Sequence, residues 1–248
     1  VIVDVITIFP DLVRGALPFG IVRRSLDAGR LQVRVHDLRE WGAGAHRQVD
    51  DAPFGGGGGM VLMPGPLFEA VEAVERQPPP ARTHRILLSP RGHRCEQADL
   101  ARLAQEPRLL LICGRYEGVD ERVREHLVDE DMSIGDYVLS GGEIPALVLI
   151  EGVTRLLPGA IGDPAGAARD SFTSGCLDWP QYTRPATFRG LSAPAVLLSG
   201  DHREIANWRQ MKSLEITERY RPDLLQKSGE GLAPRQNEPR LTHGRTRR

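Results

Sequence analysis

Ser133-Ile-Gly-Asp-Tyr-Val-Leu-Ser-Gly-Gly-Glu143 is the segment around which the rest of the chain is organised. Gly135, Gly141 and Gly142 interrupt an apolar run, and Glu143 to Leu157 then reads as an apolar helix. Glycine removes the side chain where another backbone or a ligand must come close. The stretch therefore reads as a pocket wall made of main chain. Alone, Gly-Gly-Glu would serve equally well as a tight strand-to-helix turn. Two similar stretches upstream favour the pocket: Cys113-Gly-Arg-Tyr-Glu-Gly118 and Leu88-Ser-Pro-Arg-Gly92, each placed where an apolar run ends.

Working outward, the neighbouring segments alternate in type. Arg85 to Leu88, Arg108 to Cys113 and Ser133 to Leu139 read as strands, with helices over Glu96 to Gln105 and Val119 to Leu127. Asp129-Glu-Asp131 reads as a solvated acidic link. Continuous apolar strands alternating with helices imply an α/β fold, a mostly parallel sheet covered by helices on both faces. Such sheets bind ligands beyond the carboxyl ends of their strands, where all three glycine-bearing stretches fall.

Toward the N-terminus, Val1 to Phe9 reads as a strand and lacks the basic segment of a signal peptide. An irregular helix over Asp11 to Ala28 and a half-buried strand over Leu31 to His36 follow. Periodicity is absent from Asp37 to Met60, which contains Pro53-Phe-Gly-Gly-Gly-Gly-Gly-Met60. Five glycines in a row read as a loop over a ligand or along an RNA backbone, or as a floppy insertion. They match neither the dinucleotide fingerprint nor a P-loop. Pro66 opens a helix with Leu67, Ala70, Val71 and Val74 on its apolar face.

Residues 158–170 are rich in Gly, Ala and Pro and read as a linker between a domain over 1–157 and a second over 171–248. In the second domain Asp201 opens a helix, with Glu204 completing a capping box. Ile205, Trp208, Met211 and Ile216 would line its inner face. Pro222 opens a last helix, and the chain from about residue 228 reads as a disordered basic tail. Charge divides the same way: residues 1–170 hold 19 Lys+Arg against 25 Asp+Glu, and residues 171–248 hold 13 against 8. The basic C-terminal part suits a polyanionic partner, or a solvated helical face with a basic tail. The three cysteines are too few and too scattered for a disulfide framework or a zinc pattern, which points to a reducing cytoplasm. No stretch is long and apolar enough to span a membrane.

With these residues placed, the chain closely resembles the bacterial tRNA (guanine-N1)-methyltransferase family of the SPOUT class of knotted methyltransferases. The resemblance runs to about Leu225. It is carried chiefly by Cys113 to Arg122 and Ser133 to Glu143, and further by Ile8-Phe-Pro10, Val49-Asp-Asp51, Leu88-Ser-Pro90, Arg155 to Gly159, Asp170-Ser-Phe172, Tyr182 to Pro185 and Leu197 to Gly200. It implies a deep trefoil knot over roughly Arg85 to Pro145, a small, mainly helical C-terminal tRNA-binding domain, and a homodimer with active sites between subunits. It implies S-adenosyl-L-methionine as methyl donor, held by Leu88, Ser89 and Pro90, by Gly114, Arg115, Tyr116, Glu117 and Gly118, and by Ile134, Gly135, Asp136, Tyr137, Val138, Leu139, Gly141, Gly142 and Pro145. The acceptor it implies is N1 of the guanosine 3′ of the anticodon, tRNA position 37, with Asp170 as general base and Arg155 stabilising O6. His46, Asp50, Gly55, Gly56, Gly57, Arg184, Arg203 and Arg209 become the tRNA-contacting set, and Glu117 and Asp170 the candidates for an implied magnesium ion. Phe54, Gly58, Arg91, Trp179 and Gln181 depart from the family's usual residues. A non-catalytic RNA-binding protein using the knot as a ligand sensor is the competing reading, but it has no use for Arg155 and Asp170. A methyltransferase for another RNA would need different residues in the linker and the Tyr182-Thr-Arg-Pro185 loop.

Overall fold

Strand residues of alternating side build two cores in the computed structural model, which describes residues 1–78, 82–162 and 166–229. The chain divides into two compact units, Val1–Ala167 and Ala168–Arg248. The first unit runs β1 (Ile2–Thr7), α1 (Pro10–Arg14), α2 (Gly20–Asp27), β2 (Gln32–Asp37) and a 3-10 turn (Leu38–Trp41). It continues through β3 (Asp50–Asp51), β4 (Val61–Leu62), α3 (Pro64–Glu75), β5 (Thr83–Arg94), α4 (Gln97–Leu103) and β6 (Arg108–Cys113). It closes with α5 (Glu121–His126), β7 (Glu130–Ser133) and α6 (Glu143–Leu156), and the short α7 (Gly166–Arg169) spans the boundary between the units.

The main sheet has five strands in the order β2-β1-β6-β5-β7, all paired in parallel. Leu109, Leu111 and Cys113 face one core with Val3, Val5 and the helices α1, α2, α4 and α6. Leu110 and Ile112 face the other with Ile6, α3 and α5. Helices thus cover both faces, as the apolar strands require.

Toward the amino ends of the strands the core holds charge. Asp4, fully buried, accepts bonds from Arg34 Nη2 and Arg108 Nε, both at 2.8 Å, and lies 2.8 Å from His36 Nε2. Arg108, also fully buried, donates through Nη2 to Val74 O at 2.6 Å and through Nη1 to Gln77 O at 3.1 Å. It therefore adds a donor to carbonyls at the C-terminal end of α3, where Val74 O also accepts from Gln77 N at 3.0 Å.

Several elements differ from the sequence reading. β5 does not stop at Leu88 but continues to Arg94. Its register against β7 slips between Leu88 and His93, so residues 89–92 bulge from the ladder. Gly92 permits this, because a Cβ there would run into the backbone of Asp131 and Met132. β7 occupies Glu130–Ser133 rather than Ser133 to Leu139, and Glu130 and Asp131 of the acidic link are part of it. Arg102 and His84 hold Glu130, and Arg124 holds Asp131, so these carboxylates are paired within the sheet edge. α3 begins at Pro64, two residues early, with Met63 as its cap. The irregular first helix is two helices, α1 and α2, separated by residues 15–19.

The second unit contains β8 (Thr187–Phe188), β9 (Leu191–Ser192), α8 (Ala195–Leu198), α9 (His202–Tyr220) and α10 (Pro222–Gly229), and is mainly helical. Asp201 caps α9 by accepting from the backbone of Arg203 and Glu204. Ile205, Trp208 and Ile216 lie on its partly buried side with Ser213 and Thr217, whereas Met211 is exposed. Of the expected linker, Gly166–Arg169 forms a helical turn and 163–165 lie outside the described residues. The expected tail from about residue 228 likewise lies outside them beyond Gly229.

Candidate functional site

A cavity of about 330 Å3 opens at the carboxyl ends of β5, β6 and β7. It is walled by the bulge of β5, the loop after β6 and the segment joining β7 to α6. Its size falls at the lower end of the range usual for small-ligand sites. The expected donor-binding residues gather here: Leu88, Ser89 and Pro90; Gly114 through Gly118; Ile134, Gly135, Tyr137, Val138, Leu139, Gly141, Gly142 and Pro145. Asp136 is not part of the wall and is exposed.

Backbone fixes the walls to one another. Gly142 N donates to Gly114 O at 2.9 Å, and Arg115 forms an antiparallel bridge with Gly141. A Cβ on Gly142 would lie 2.7 Å from Cys113 Cα, so this approach requires glycine. Tyr116 and Gly118 take positive φ, 58° and 124°, which turns the β6 loop back over the cavity.

One buried carboxylate braces the floor. Glu143, in the first turn of α6 and 1% exposed, accepts from Thr7 Oγ1 at 2.7 Å and pairs with Arg115 Nε at 3.3 Å. Its position at a helix N-terminus suits a negative charge. Arg115 also donates to Ser140 O at 3.0 Å, and its guanidinium lies 4.5 Å from the Phe9 ring centroid. Sequence reasoning placed Glu143 in the motif but gave it no role; its spacing directly after Gly-Gly at a helix start was the available signal. Arg91, Glu121 and Arg124 were also missed, and they form a charged rim with Arg91 bonded to Glu121 at 2.7 Å. Hydrogen bonds from Arg91 and Arg124 hold the Glu121 carboxyl below its ordinary range. Burial pushes the Cys113 thiol well above its usual value, and the Glu143 charge adds to this against Arg115. Cys113 is therefore an inert thiol at the back of the site.

The glycine loop is tied to the same wall. Leu62 bridges Val119 in parallel, Glu117 N donates to Met60 O at 3.0 Å, and a Cβ on Gly59 would collide with the Glu117 side chain. Beyond that anchorage Gly55, Gly56 and Gly57 are exposed with φ of 86°, 78° and 107°, and Phe54 is 99% exposed. His46 is exposed and Asp50 is half-buried in β3.

Arg155 stands exposed in the last turn of α6, in the first unit. Asp170 is half-buried at the start of the second, where Arg184, Arg203 and Arg209 are exposed. Among the described residues no three His, Cys, Asp or Glu side chains come together as a metal cage. The two magnesium candidates, Glu117 and Asp170, lie in separate units.

Glycine backbone, small apolar side chains and a few rim charges can hold a flat heterocycle and its polar tail. The cavity lining contains no histidine. The carboxylates in its wall are Glu117 and Glu121.

A family model described as tRNA (Guanine-1)-methyltransferase TrmD matches residues 1–227. The chain is 54% identical over 223 residues to a protein of Moorella thermoacetica named tRNA (guanine-N(1)-)-methyltransferase, covering 90% of this chain and 89% of that one. It is 50% identical over 225 residues to the protein of that name from Geobacter metallireducens, covering 91% of each. For the one from Geobacillus kaustophilus the identity is 49% over 223 residues, covering 90% of this chain and 91% of that one.

Proposed function

The chain belongs to the tRNA (guanine-1)-methyltransferase family, and from that premise we propose that it transfers a methyl group from S-adenosyl-L-methionine to N1 of the guanosine 3′ of the anticodon in tRNA. The observation that carries this reading is the glycine-walled cavity at the carboxyl ends of β5, β6 and β7. Adenine and ribose would be held by main-chain groups of 114–118 and 134–142, with the sulfonium near Glu117, whose charge complements it.

Guanine N1 carries a proton and is no nucleophile until that proton leaves. Asp170 takes the proton, and the charge that builds on O6 is met by Arg155. The freed N1 pair attacks the methyl carbon, and the carbon–sulfur pair returns to sulfur, leaving a neutral thioether. Asp170 sits beyond residues 158–162, in the second unit, which we read as the tRNA-binding domain. RNA binding would then bring the base into place and couple substrate selection to chemistry.

Family membership also leads us to read the path through β5, β6 and the 134–142 segment as the trefoil knot. It leads us further to a homodimer with active sites between subunits. Exposed apolar residues on one side of the first unit, Leu12, Phe19, Ile144 and Val148, would supply its contact. No helix among the described residues is long and apolar enough to cross a membrane; family membership leads us to read the chain as a cytoplasmic enzyme.

The test is methyl transfer to two tRNA transcripts, one with guanosine 3′ of the anticodon and one with adenosine there. Transfer to the first alone is expected. Equal transfer to both would show the target nucleotide to be wrong, and donor binding without transfer to either would favour the sensor. Asp170→Ala is expected to abolish transfer while donor affinity stays; loss of donor binding would show that Asp170 belongs to the cavity instead.

A further inference from the structure

A second cavity, about 510 Å3, opens within the C-terminal unit. Arg169 and Arg209 lie in its wall with Trp179, Gln210 and Ser174, and no carboxylate does. The Arg209 guanidinium lies 5.0 Å from the Trp179 ring centroid. Stacking of this kind steadies the planar fork that recognises phosphate. The indole Nε1 is buried without a hydrogen-bond partner among the described residues, a costly state for a donor. Gln210 brings both a donor and an acceptor, the pair needed to read a base edge.

The loop carrying Trp179 is held firmly. Ser213 Oγ of α9 donates to Leu177 O at 2.5 Å, and Leu177 N donates to Thr217 Oγ1 at 2.9 Å. The same loop is tied to the segment that carries Asp170. Asp178 N donates to Ser171 Oγ at 2.9 Å, Phe172 N to Cys176 O at 2.8 Å, and Thr173 N to Asp170 O at 3.2 Å. Arg169, in the cavity wall, immediately precedes Asp170.

We propose that this cavity is a nucleotide subsite for the RNA strand: it stacks one base beside Trp179, takes the attached phosphate on Arg209 and Arg169, and thereby sets the position of Asp170. The nucleotide is a near neighbour of the target guanosine, because the cavity wall and Asp170 are adjacent in the chain. Charge, stacking surface and edge reading occur together here, the combination that single-stranded nucleic acid sites use. The subsite rests on the proposed RNA methyl transfer and adds a contact to it.

Equilibrium binding of the tRNA transcript, measured separately from methyl transfer, tests the subsite. Trp179→Ala and Arg209→Ala are each expected to weaken RNA binding about tenfold, the scale of one lost base–aromatic or phosphate contact. Donor affinity stays unchanged, and an unaltered far-ultraviolet circular dichroism spectrum reports that the helical second unit is folded. Trp179→Phe restores most of the loss; Arg209→Lys does not, because lysine lacks the fork. Arg209→Ala also reduces the salt slope of RNA binding by about one phosphate contact. A wild-type protein that binds RNA but methylates nothing sinks the proposed function and spares the subsite. Alanine variants that bind RNA as the wild type does sink the subsite and spare the function. Displacement of the transcript by adenosine 5′-monophosphate, at an affinity that Trp179→Ala weakens, would make the cavity a free-nucleotide site and overturn the RNA assignment.

Discussion

At the carboxyl ends of β5, β6 and β7 the first unit is built from backbone, five cavity-wall glycines at 114, 118, 135, 141 and 142, and one braced carboxylate. Toward the amino ends of the same sheet, Asp4 and Arg108 lie fully buried with Arg34 and His36 around them. The two ends solve opposite problems. A site must leave room and keep its donors and acceptors available, so side chains are removed. A closed end must fix the strand ends and the end of α3, so side chains are added and their charges cancelled. Damage at the closed end should therefore cost the whole fold, and damage at the open end should cost binding.

The largest effect is expected from Arg108→Ala. It leaves the Asp4 carboxylate buried beside a cavity and strips Val74 and Gln77 of a donor. Loss of one partner of a buried pair costs about 3–5 kcal/mol, read as a fall in the urea midpoint. A variant as stable as the wild type would break the comparison. Gly142→Val comes next. Its side chain would press on Cys113 Cα, and overpacking of about 1–3 kcal/mol corresponds to donor binding weakened about ten- to hundredfold. Calorimetric titration measures this; unaltered donor affinity would mean that the cavity is not the donor site.

Acid sharpens the contrast further. Burial alone would raise the Asp4 carboxyl, but hydrogen bonds from His36 and Arg108 and the charges of Arg108 and Arg34 outweigh it and hold it below its ordinary 3.8. A carboxylate depressed in the folded state stabilises the protein above its unfolded value, and that contribution is lost as pH falls through the folded one. Between pH 5 and 8 Asp4 adds no pH dependence; below about pH 4 the wild type should lose stability faster than Asp4→Asn. Parallel acid-unfolding curves for the two would remove Asp4 from the account. The smallest effect belongs to Gly57→Ala. At φ 107° an alanine is strained by about 1–2 kcal/mol, yet open space surrounds the position. RNA affinity should fall a few-fold and the unfolding midpoint slightly, while donor affinity holds; a change in donor affinity would show that this part of the loop reaches the cavity.

What the sequence made legible follows the same division. Glycines at the ends of apolar runs announce a backbone-built site, and all but Asp136 of the expected donor residues do surround one cavity. Strand β6 and helix α6 were legible within a residue, because both are continuous apolar runs. β5 was not: Pro90 and Gly92 look like the end of a strand, whereas they sit in a bulge that the strand survives. Glu130 and Asp131 look solvated, but Arg102 and Arg124 are brought to them by the fold. Arg108 gave no sign of complete burial, since its partner Asp4 lies 104 residues away in sequence. Local pattern reports which segments become strands; it does not report which distant charge will neutralise a buried one.

The bond between Thr7 and Glu143 joins residues 136 positions apart. During synthesis the first strand therefore emerges long before the carboxylate that it will help to seat, and closing so wide an interval is slow. Every glycine of the cavity has been added to the chain by residue 142, yet Glu143 and α6, which brace the floor, have not. A nascent chain cut before Glu143 should hold all of those glycines and bind no methyl donor. Competence to bind would be acquired at one late point in translation, and ribosome-bound chains of increasing length would reveal it as a step.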